Sequence, residues 1–181
     1  MSIEEKTTDG RRIKGERRKR ELTEATLRVV ARDGVAGVSH RTVAREAGLP
    51  PTMAAYYFDG IDDLLTAALT SCLDEDAEKI RAVQDIQELA ELMADLVAGE
   101  PGRLLAEFEL YLLAARKVEL RAATDRWKAA LAEFARRHTD DPVRVHNFVG
   151  AYDGLLLQAL LTSTPPTAAD FEANVVQLLT P

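Results

Sequence analysis

The chain is poor in the residues from which metal sites and disulfides are built. Its 181 residues include one cysteine, Cys72, and three histidines, His40, His138 and His146. A single cysteine excludes an internal disulfide and a cysteine-based zinc motif, and the histidines lack metal-ligand spacing. We therefore expect no metal site and no cofactor, and we expect Cys72 to be a buried, inert thiol.

Long apolar runs and reactive constellations are also missing. No run approaches the roughly 18 apolar residues that span a bilayer. The N-terminus is charged from the start and has no signal-peptide core. The sequence contains neither the usual glycine-rich phosphate loop nor the convergent reactive groups of an enzyme. These absences predict a cytoplasmic protein that is not an enzyme and has no membrane partner.

Helix-forming patterns fill most of the chain. Apolar residues make up 46% of it, enough for a real core. Glycine and proline fall between segments of helical periodicity, and no convincing period-two alternation is present. The sequence therefore predicts an all-α fold of about nine helices. We expect a first helix ending near residue 33, then helices near 39–47, 50–58, 61–79, 86–98, 102–117, 121–138, 142–162 and 168–179.

Charge is unevenly distributed around the net value of −7. Residues 1–60 hold 12 Lys/Arg against 9 Asp/Glu, whereas residues 61–181 hold 11 against 21. The stretch Arg11 to Arg20 alone carries seven positive charges and one glutamate. A basic front and an acidic rear fit a protein that presents one end to a polyanion. Residues 1–15 are polar, which predicts a disordered leader.

The segment from about Ser39 to Phe58 has the pattern of a helix-turn-helix. Ser39 is placed to cap its first helix, and Gly48 permits the sharp turn before its second. The inward positions are apolar: Val43, Ala44, Ala47, Leu49, Ala54, Tyr57 and Phe58. An ordinary helical hairpin would show the same bare pattern.

Candidate DNA contacts follow from the position of each side chain. In a helix-turn-helix the first residues of the second helix face base edges in the major groove. Arg41 is suited to a guanine or a phosphate, while His40, Thr42 and Tyr56 are suited to donate to phosphate. The predicted DNA-binding residues are His40, Arg41, Thr42, Pro50, Pro51, Thr52, Met53, Tyr56 and Tyr57.

This segment resembles the DNA-binding domain of the TetR/AcrR family of bacterial transcriptional regulators over about residues 17–70. The matching elements are Asp33-Gly34, Ser39, Val43-Ala44, Ala47-Gly48-Leu49, Tyr56-Tyr57-Phe58 and Asp62-Asp63-Leu64-Leu65. Two positions depart from the family: Ala55 replaces an aromatic residue and Ile61 replaces a lysine, both of which usually touch phosphate. The basic stretch at 11–20 either compensates for this loss or is a solvated leader.

The resemblance implies a helix-turn-helix domain at 16–60 and a helical ligand-binding and dimerisation domain at 61–181. It implies a repressor that binds a palindromic double-stranded DNA operator as a homodimer. A small apolar or amphipathic effector, not identified by the sequence, would release it, with the fourth helix as the expected lever. The alternative is an architectural or adaptor protein that binds DNA without a ligand. An apolar cavity of several hundred Å³ in the rear domain would favour the repressor.

Candidate ligand and dimer residues lie in the rear helices. Met93, Phe108, Tyr111, Trp127 and Phe134 are predicted to bind the ligand, with ordinary core packing as the alternative. Glu107, Glu109 and Arg116 interrupt apolar helix faces, where they either meet a polar ligand group or lie at the surface. The family pairs its last two helices across a dimer. The candidates for that interface are Gly150, Gly154, Leu155, Phe171, Val175 and Leu178, and the alternative is that the last helix caps its own core.

Overall fold

The computed structural model describes residues 3–180, and side chains for residues 12–180. Over these residues it contains nine α-helices and no strand, which confirms the predicted all-α class. The helices are α1 (Ile3–Asp33), α2 (His40–Glu46), α3 (Pro51–Tyr57), α4 (Ile61–Ala82), α5 (Ile86–Gly99), α6 (Pro101–Leu113), α7 (Arg121–Arg136), α8 (Pro142–Leu160) and α9 (Ala168–Leu179). Short 3₁₀ turns at Val35–Gly37 and Val118–Leu120 precede α2 and α7.

The chain divides into two compact units, Met1–Ala68 and Leu69–Pro181. The division falls within α4 and therefore somewhat later than the predicted domain boundary at residue 60. None of the helices over residues 3–180 is both long and apolar enough to cross a bilayer.

The first unit is built from α1, α2 and α3, with α2 packed against both of the others. Its apolar side chains, including Val29, Val43 and Phe58, are almost completely buried. Gly34, after α1, and Gly48, between α2 and α3, have φ values of 71° and 66°. This left-handed backbone favours glycine because a Cβ would be strained there. The sharp turn predicted at Gly48 is therefore confirmed.

Helix α1 begins much earlier than the sequence suggests. It starts at Ile3 and includes most of the segment predicted to be a disordered leader, while Met1 and Ser2 lie outside the described residues. Helical periodicity is recognised in a sequence by a stripe of apolar residues. This segment is polar and has no such stripe, so the sequence does not predict a helix there.

The second unit surrounds α5, which packs against α6, α8 and α9, and α7 packs against α8. Its largest fully buried side chains include Tyr152, Phe134 and Phe148. Cys72 is completely buried, as predicted. Burial raises the pKa of its thiol well above the ordinary value, which disfavours the reactive thiolate.

Candidate functional site

The helix-turn-helix is held together by a reciprocal cap at the start of α2. The Ser39 hydroxyl accepts a hydrogen bond from the Thr42 backbone N–H at 3.0 Å. The Thr42 hydroxyl in turn accepts one from the Ser39 backbone N–H at 2.9 Å. Each side chain satisfies a backbone donor that a helix start leaves unpaired. The predicted cap at Ser39 is confirmed.

The same cap corrects one predicted DNA contact. The Thr42 hydroxyl donates to the carbonyl of Gly37 at 2.8 Å while it accepts from Ser39. Its single hydrogen is thus engaged inside the protein and is not available to donate to a phosphate. Thr42 positions α2 instead of anchoring DNA.

An ion-pair cluster fixes α2 against α1. The Glu46 carboxylate accepts from Arg28 Nε at 3.0 Å and from Arg32 Nη1 at 2.7 Å. These hydrogen bonds, first from Arg32 and then from Arg28, lower the pKa of Glu46. The cluster occupies both arginines, so they orient the motif and are engaged with protein rather than with a ligand.

Most of the other predicted DNA contacts lie at the surface of the helix-turn-helix. Arg41, Pro50, Pro51 and Thr52 are exposed, and Tyr56 is 79% exposed. By contrast, the inward residues Val43, Ala44, Ala54 and Phe58 are buried as predicted. The motif therefore has one face in the core and one face open to a partner. Three further candidates are half-buried: His40, Met53 and Tyr57.

Tyr57 and the basic part of α1 lie close together. A Cβ built at Gly15 would be 3.9 Å from the ring and hydroxyl of Tyr57, and the Lys19 ammonium lies 5.4 Å from the centre of the Phe58 ring. Arg17 and Arg18 both pair with Glu21. The basic stretch is thus a helical segment beside the end of α3, although the side chain of Arg11 lies outside the described residues.

The second unit contains a small cavity, which we call the chamber. Its volume is about 30 Å³, and α4, α5, α6, α7 and α8 all contribute to its wall. The wall combines leucines with four aromatic rings and three acids: Phe108, Tyr111, Trp127, Tyr152, Asp76, Glu107 and Asp153. Of the five predicted ligand residues, the structure brings Phe108, Tyr111 and Trp127 together here.

The other two predicted ligand residues belong to the core. Met93 is completely buried and is not part of the chamber wall. Phe134 is buried too and is stacked on Phe148 with ring centres 5.8 Å apart; it lines a separate cavity of about 190 Å³ rather than the chamber. The structure does not bring these two to the other three, because an apolar periodicity does not distinguish a packed face from a cavity wall.

The acids of the chamber are the feature that sequence reasoning largely missed. Glu107 is buried, so the prediction that it lies at the surface is wrong. The alternative, that it meets a polar group of a ligand, stays a prediction. Arg116 is exposed and Glu109 is half-buried. Asp76 and Asp153 were not identified, since an acid at helical spacing is most often solvated. The signal that could have found Asp153 is its place between the apolar residues Tyr152 and Leu155–Leu156.

Burial changes the protonation of two of these acids. Burial, and then the nearby charge of Asp76, raise the pKa of Glu107 to about 8, against the opposing effect of Arg103. Burial also raises the pKa of Asp153 to about 6, although hydrogen bonds from Trp127 and Tyr111 oppose the change. The Trp127 Nε1 lies 3.3 Å from Asp153 Oδ1. Near pH 7 Glu107 therefore favours the neutral form, whereas Asp153 remains mostly ionised.

A larger, open cavity, which we call the groove, lies beside the chamber between α7 and α8. Its volume is about 880 Å³, and Tyr111 and Asp153 line both cavities. Its other walls mix charged and small side chains, among them Lys128, Arg136 and Val149. The chamber is thus smaller than the several hundred Å³ expected, while the groove reaches that size. No cluster of His, Cys, Asp and Glu over the described residues is arranged to hold a metal ion.

The candidate dimer residues divide between surface and core. Phe171 and Val175 are buried within the second unit, so they are corrected to core residues that hold α9 in place. Leu155 and Leu178 are half-buried. Gly150 is exposed and Gly154 is partly so, and a Cβ built at either would meet no atom within 4 Å.

Comparison with known proteins identifies the family. Residues 84–181 match the family model described as the C-terminal domain of tetracyclin repressor-like proteins. The multidrug binding protein EbrR, solved with imidazole, is 32% identical, with a TM-score of 0.73 over 91% of this chain and 96% of that one. The chain belongs to the TetR family of transcriptional regulators. This confirms the resemblance of the helix-turn-helix and places the protein among regulators rather than enzymes.

Other TetR-family proteins show similar relationships. A member from Streptomyces coelicolor A3 is 31% identical, with a TM-score of 0.77 over 91% of this chain and 99% of that one. The nicotine-responsive repressor HdnoR of Paenarthrobacter nicotinovorans is 31% identical over 107 residues, which are 55% of each chain. This chain thus spans about half the length of the curated relatives it matches, whereas it matches the solved structures over nearly their whole length.

Proposed function

We propose that this protein is a repressor that binds a palindromic operator as a homodimer and dissociates when a small effector binds in its second unit. The observation that carries the proposal is the helix-turn-helix of a TetR-family chain whose outer side chains are left exposed. Arg41, Thr52 and Tyr56 all belong to this exposed set.

Specific and unspecific DNA contacts would be divided among different side chains. A bidentate arginine–guanine pair discriminates by about 1–3 kcal/mol, which gives Arg41 the main reading role. Tyr56 would position the motif by donating to phosphate. Ala55 is exposed but has no polar group with which to assist. The exposed Lys14 and Arg20 of α1 would supply the missing phosphate contacts, because each neutralised phosphate strengthens binding at low salt.

A homodimer is supported by an exposed apolar stripe on α8. Gly150, Gly154, Leu157 and Leu161 follow one another at spacings of three and four, and Leu161 is 80% exposed. Residues at this spacing share one helix face, and the two glycines would let a second copy approach closely. On α9, Val176 is exposed whereas Phe171 and Val175 are buried. Two copies would place two α3 helices on operator half-sites a helical turn, or a multiple of one, apart.

Effector binding is supported by the chamber and by the ligands of relatives. EbrR has been solved with ethidium, and HdnoR is named as nicotine-responsive. An effector shifts the balance between two conformations only by its difference in affinity for them. The lever would be α4, within which the two units divide. If an effector abolishes DNA binding without changing the distance between the two α3 helices of a dimer, this lever is wrong.

The operator contact assignment is tested by substitution. Operator fragments would be selected from the organism's own genome with the purified full chain. We expect Arg41→Ala and Tyr56→Ala each to weaken binding at least about tenfold, the loss of one good polar contact, while both remain folded dimers. Arg116→Ala is the matched control because Arg116 is an exposed arginine of the second unit. Wild-type affinity in either test variant contradicts the assignment.

A ligand-independent DNA-binding adaptor is the second candidate function. The small volume of the chamber, about 30 Å³, favours it over a regulator with a preformed pocket. Screening small molecules for release of the operator complex separates the two. An adaptor would retain its operator with every compound, whereas the proposed repressor would be released by at least one.

A further inference from the structure

Over the described residues, the wall of the chamber in the second unit carries acidic side chains and no basic ones. Three carboxyl groups line it, from Asp76, Glu107 and Asp153, and no Lys, Arg or His among the described residues does. A buried carboxylate is costly unless it is paired or becomes neutral. The cations that pair with Glu107 and Asp76, Arg103 and Lys79, do not line this cavity, so a cation bound inside it would meet carboxyl groups and no positive side chain of the wall.

A different polar group in the wall has no partner within the described part of the chain. Tyr152 lines the chamber and is 1% exposed, and its hydroxyl has no hydrogen-bond partner among the described residues. A buried, unsatisfied hydroxyl costs free energy that a bound ligand with a donor or acceptor would recover. This observation is independent of the acids and points into the same cavity.

The rest of the wall suits an organic cation rather than a metal ion. The rings of Trp127 and Tyr152 meet edge to face with their centres 5.5 Å apart, and Phe108 and Tyr111 line the same space. Aromatic faces attract organic cations through their ring quadrupoles. No set of side chains over the described residues is arranged to ligate a metal.

The acids are balanced only partly by the protein's own cations. Arg103 Nε lies 3.1 Å from Glu107, and Lys79 Nζ lies 2.6 Å from Asp76. Arg103 also pairs with Glu75 at 3.0 Å, so its charge is shared. The titratable and charged groups around Glu107 and its chamber are Cys72, Glu75, Asp76 and Lys79 from α4, Asp95 from α5, Arg103 and Tyr111 from α6, Lys128 from α7, and Tyr152 and Asp153 from α8.

We propose that the effector is an organic cation with an aromatic or apolar body, which binds in the chamber against Glu107 and Tyr152 and displaces one proton from the carboxyl groups there. The proposal rests on the proposed function and gives its effector a chemical class. The carboxyl proton passes to solvent and the carboxylate left behind pairs with the cation, so charge is conserved. The raised pKa of Glu107, to about 8, supplies the proton near neutral pH.

The route into the chamber passes Tyr111 and Asp153. These two residues line both the chamber and the groove of about 880 Å³. A volume of about 30 Å³ holds little more than a water molecule, so an organic cation must move the wall. The hydrogen bond from Trp127 to Asp153 would break as it enters. Trp127 is the sole tryptophan in the sequence, so its fluorescence reports this event.

The experiment measures binding to the full chain without DNA across a range of pH. The probes are ethidium, tetraphenylphosphonium and benzyltrimethylammonium, three cations of different size whose charge does not depend on pH. Phenanthridine is the neutral aromatic control. We expect the affinity for at least one cation to rise by nearly tenfold per pH unit from about pH 6 to 7.5 and to level off above about 8.5, as one linked proton requires. Titration calorimetry in buffers of different ionisation enthalpy should show release of about one proton per cation at pH 7.

Three variants distinguish the contribution of the Glu107 carboxyl group to binding from that of the Tyr152 hydroxyl. Glu107→Gln should flatten the pH profile and weaken cation binding at pH 8.5 by at least about tenfold, with no loss for phenanthridine. Tyr152→Phe should weaken binding of ethidium, whose amino groups can donate to the hydroxyl, while leaving the pH slope unchanged, because it removes the hydroxyl and no charge. Glu91→Gln, an exposed acid of α5, should match the wild type. Thermal unfolding of each variant establishes that it is folded.

The proposal is overturned if none of the three cations binds with this pH dependence, or if phenanthridine binds as tightly as ethidium at pH 8.5. Operator release is measured separately. If a neutral compound releases the operator while the cations do not bind, the effector class is wrong and the proposed repressor stands. If the chain binds no operator at all, the repressor is wrong whatever the cations do.

Discussion

The two units of this chain treat their polar groups in opposite ways. In the first unit, the Ser39 and Thr42 hydroxyls satisfy helix-start donors, and Glu46 accepts from two arginines. In the second unit, Glu107 is buried and Asp153 half-buried, both with raised pKa values, and the Tyr152 hydroxyl lacks a partner among the described residues.

This difference fits the different tasks of the two units. A DNA-reading motif must hold its outer side chains in one geometry, which satisfied internal polar groups favour. A ligand site must leave something for the ligand to complete, and unsatisfied polar groups at a cavity do so. His40 is the exception in the first unit, since its Nε2 is buried without a partner among the described residues. It lies at the first position of α2, next to the proposed reading residue Arg41.

The largest expected effect is on the pH dependence of stability when Glu107, the buried acid of the chamber, is replaced. A carboxyl whose pKa is raised in the folded state binds a proton that the unfolded chain has lost, so stability falls as pH rises towards the folded pKa. For Glu107 this window runs from about 4.5 to about 8. Between pH 6.5 and 8, we expect the wild type to lose on the order of 1–2 kcal/mol from this group. Glu107→Gln should remove most of that slope in urea denaturation.

The matched control for this measurement is Glu91→Gln, which replaces an exposed acid. It should retain the wild-type slope. Equal slopes of stability against pH in wild type and Glu107→Gln would show that Glu107 is ionised throughout this range. The two units would then not differ in the protonation of their acids as argued above.

The second effect comes from removing a helix cap in the first unit. Ser39→Ala removes the acceptor for the Thr42 N–H and should destabilise the protein by about 1 kcal/mol, as loss of an N-cap does. Thr52→Ala, at an exposed position of α3, is the control and should be nearly neutral. Chemical denaturation followed by circular dichroism measures both. A Ser39→Ala variant as stable as the Thr52 control would mean that the cap contributes nothing.

The smallest effect concerns Glu46 and its two arginines. Exposed ion pairs contribute roughly 0.2–1 kcal/mol, so Glu46→Gln should cost about 0.5 kcal/mol at pH 7. The folded pKa of Glu46 is lowered, so its contribution is present above the unfolded value near 4.5 and is lost as pH falls through the folded value. Wild type and variant should therefore converge once the pH falls below the folded pKa. A difference that persists there would assign the effect to packing instead of charge.

Much of the first unit could be predicted from sequence because its determinants are close together along the chain. Ser39 and Thr42 are three residues apart, Gly48 sits alone in its turn, and Ala44 and Ala54 lie on short neighbouring helices. The Thr42 hydroxyl is an exception. The sequence predicts it at phosphate, because its hydrogen bond to the Gly37 carbonyl depends on the path of the loop before α2 and is not visible in the sequence.

The sequence by itself determined the number of helices, the helix-turn-helix and the family, since these follow from local patterns of apolar spacing, glycine and proline. The imbalance of charge is read directly from the residues. Only the tertiary structure decided which of the predicted ligand residues line the chamber, namely Phe108, Tyr111 and Trp127, and which lie elsewhere in the second unit, namely Met93 and Phe134. It also brought Asp76, Glu107 and Asp153 from three helices to one chamber. The physical reason is that burial changes a carboxyl group's charge, and burial depends on side chains far apart in the chain.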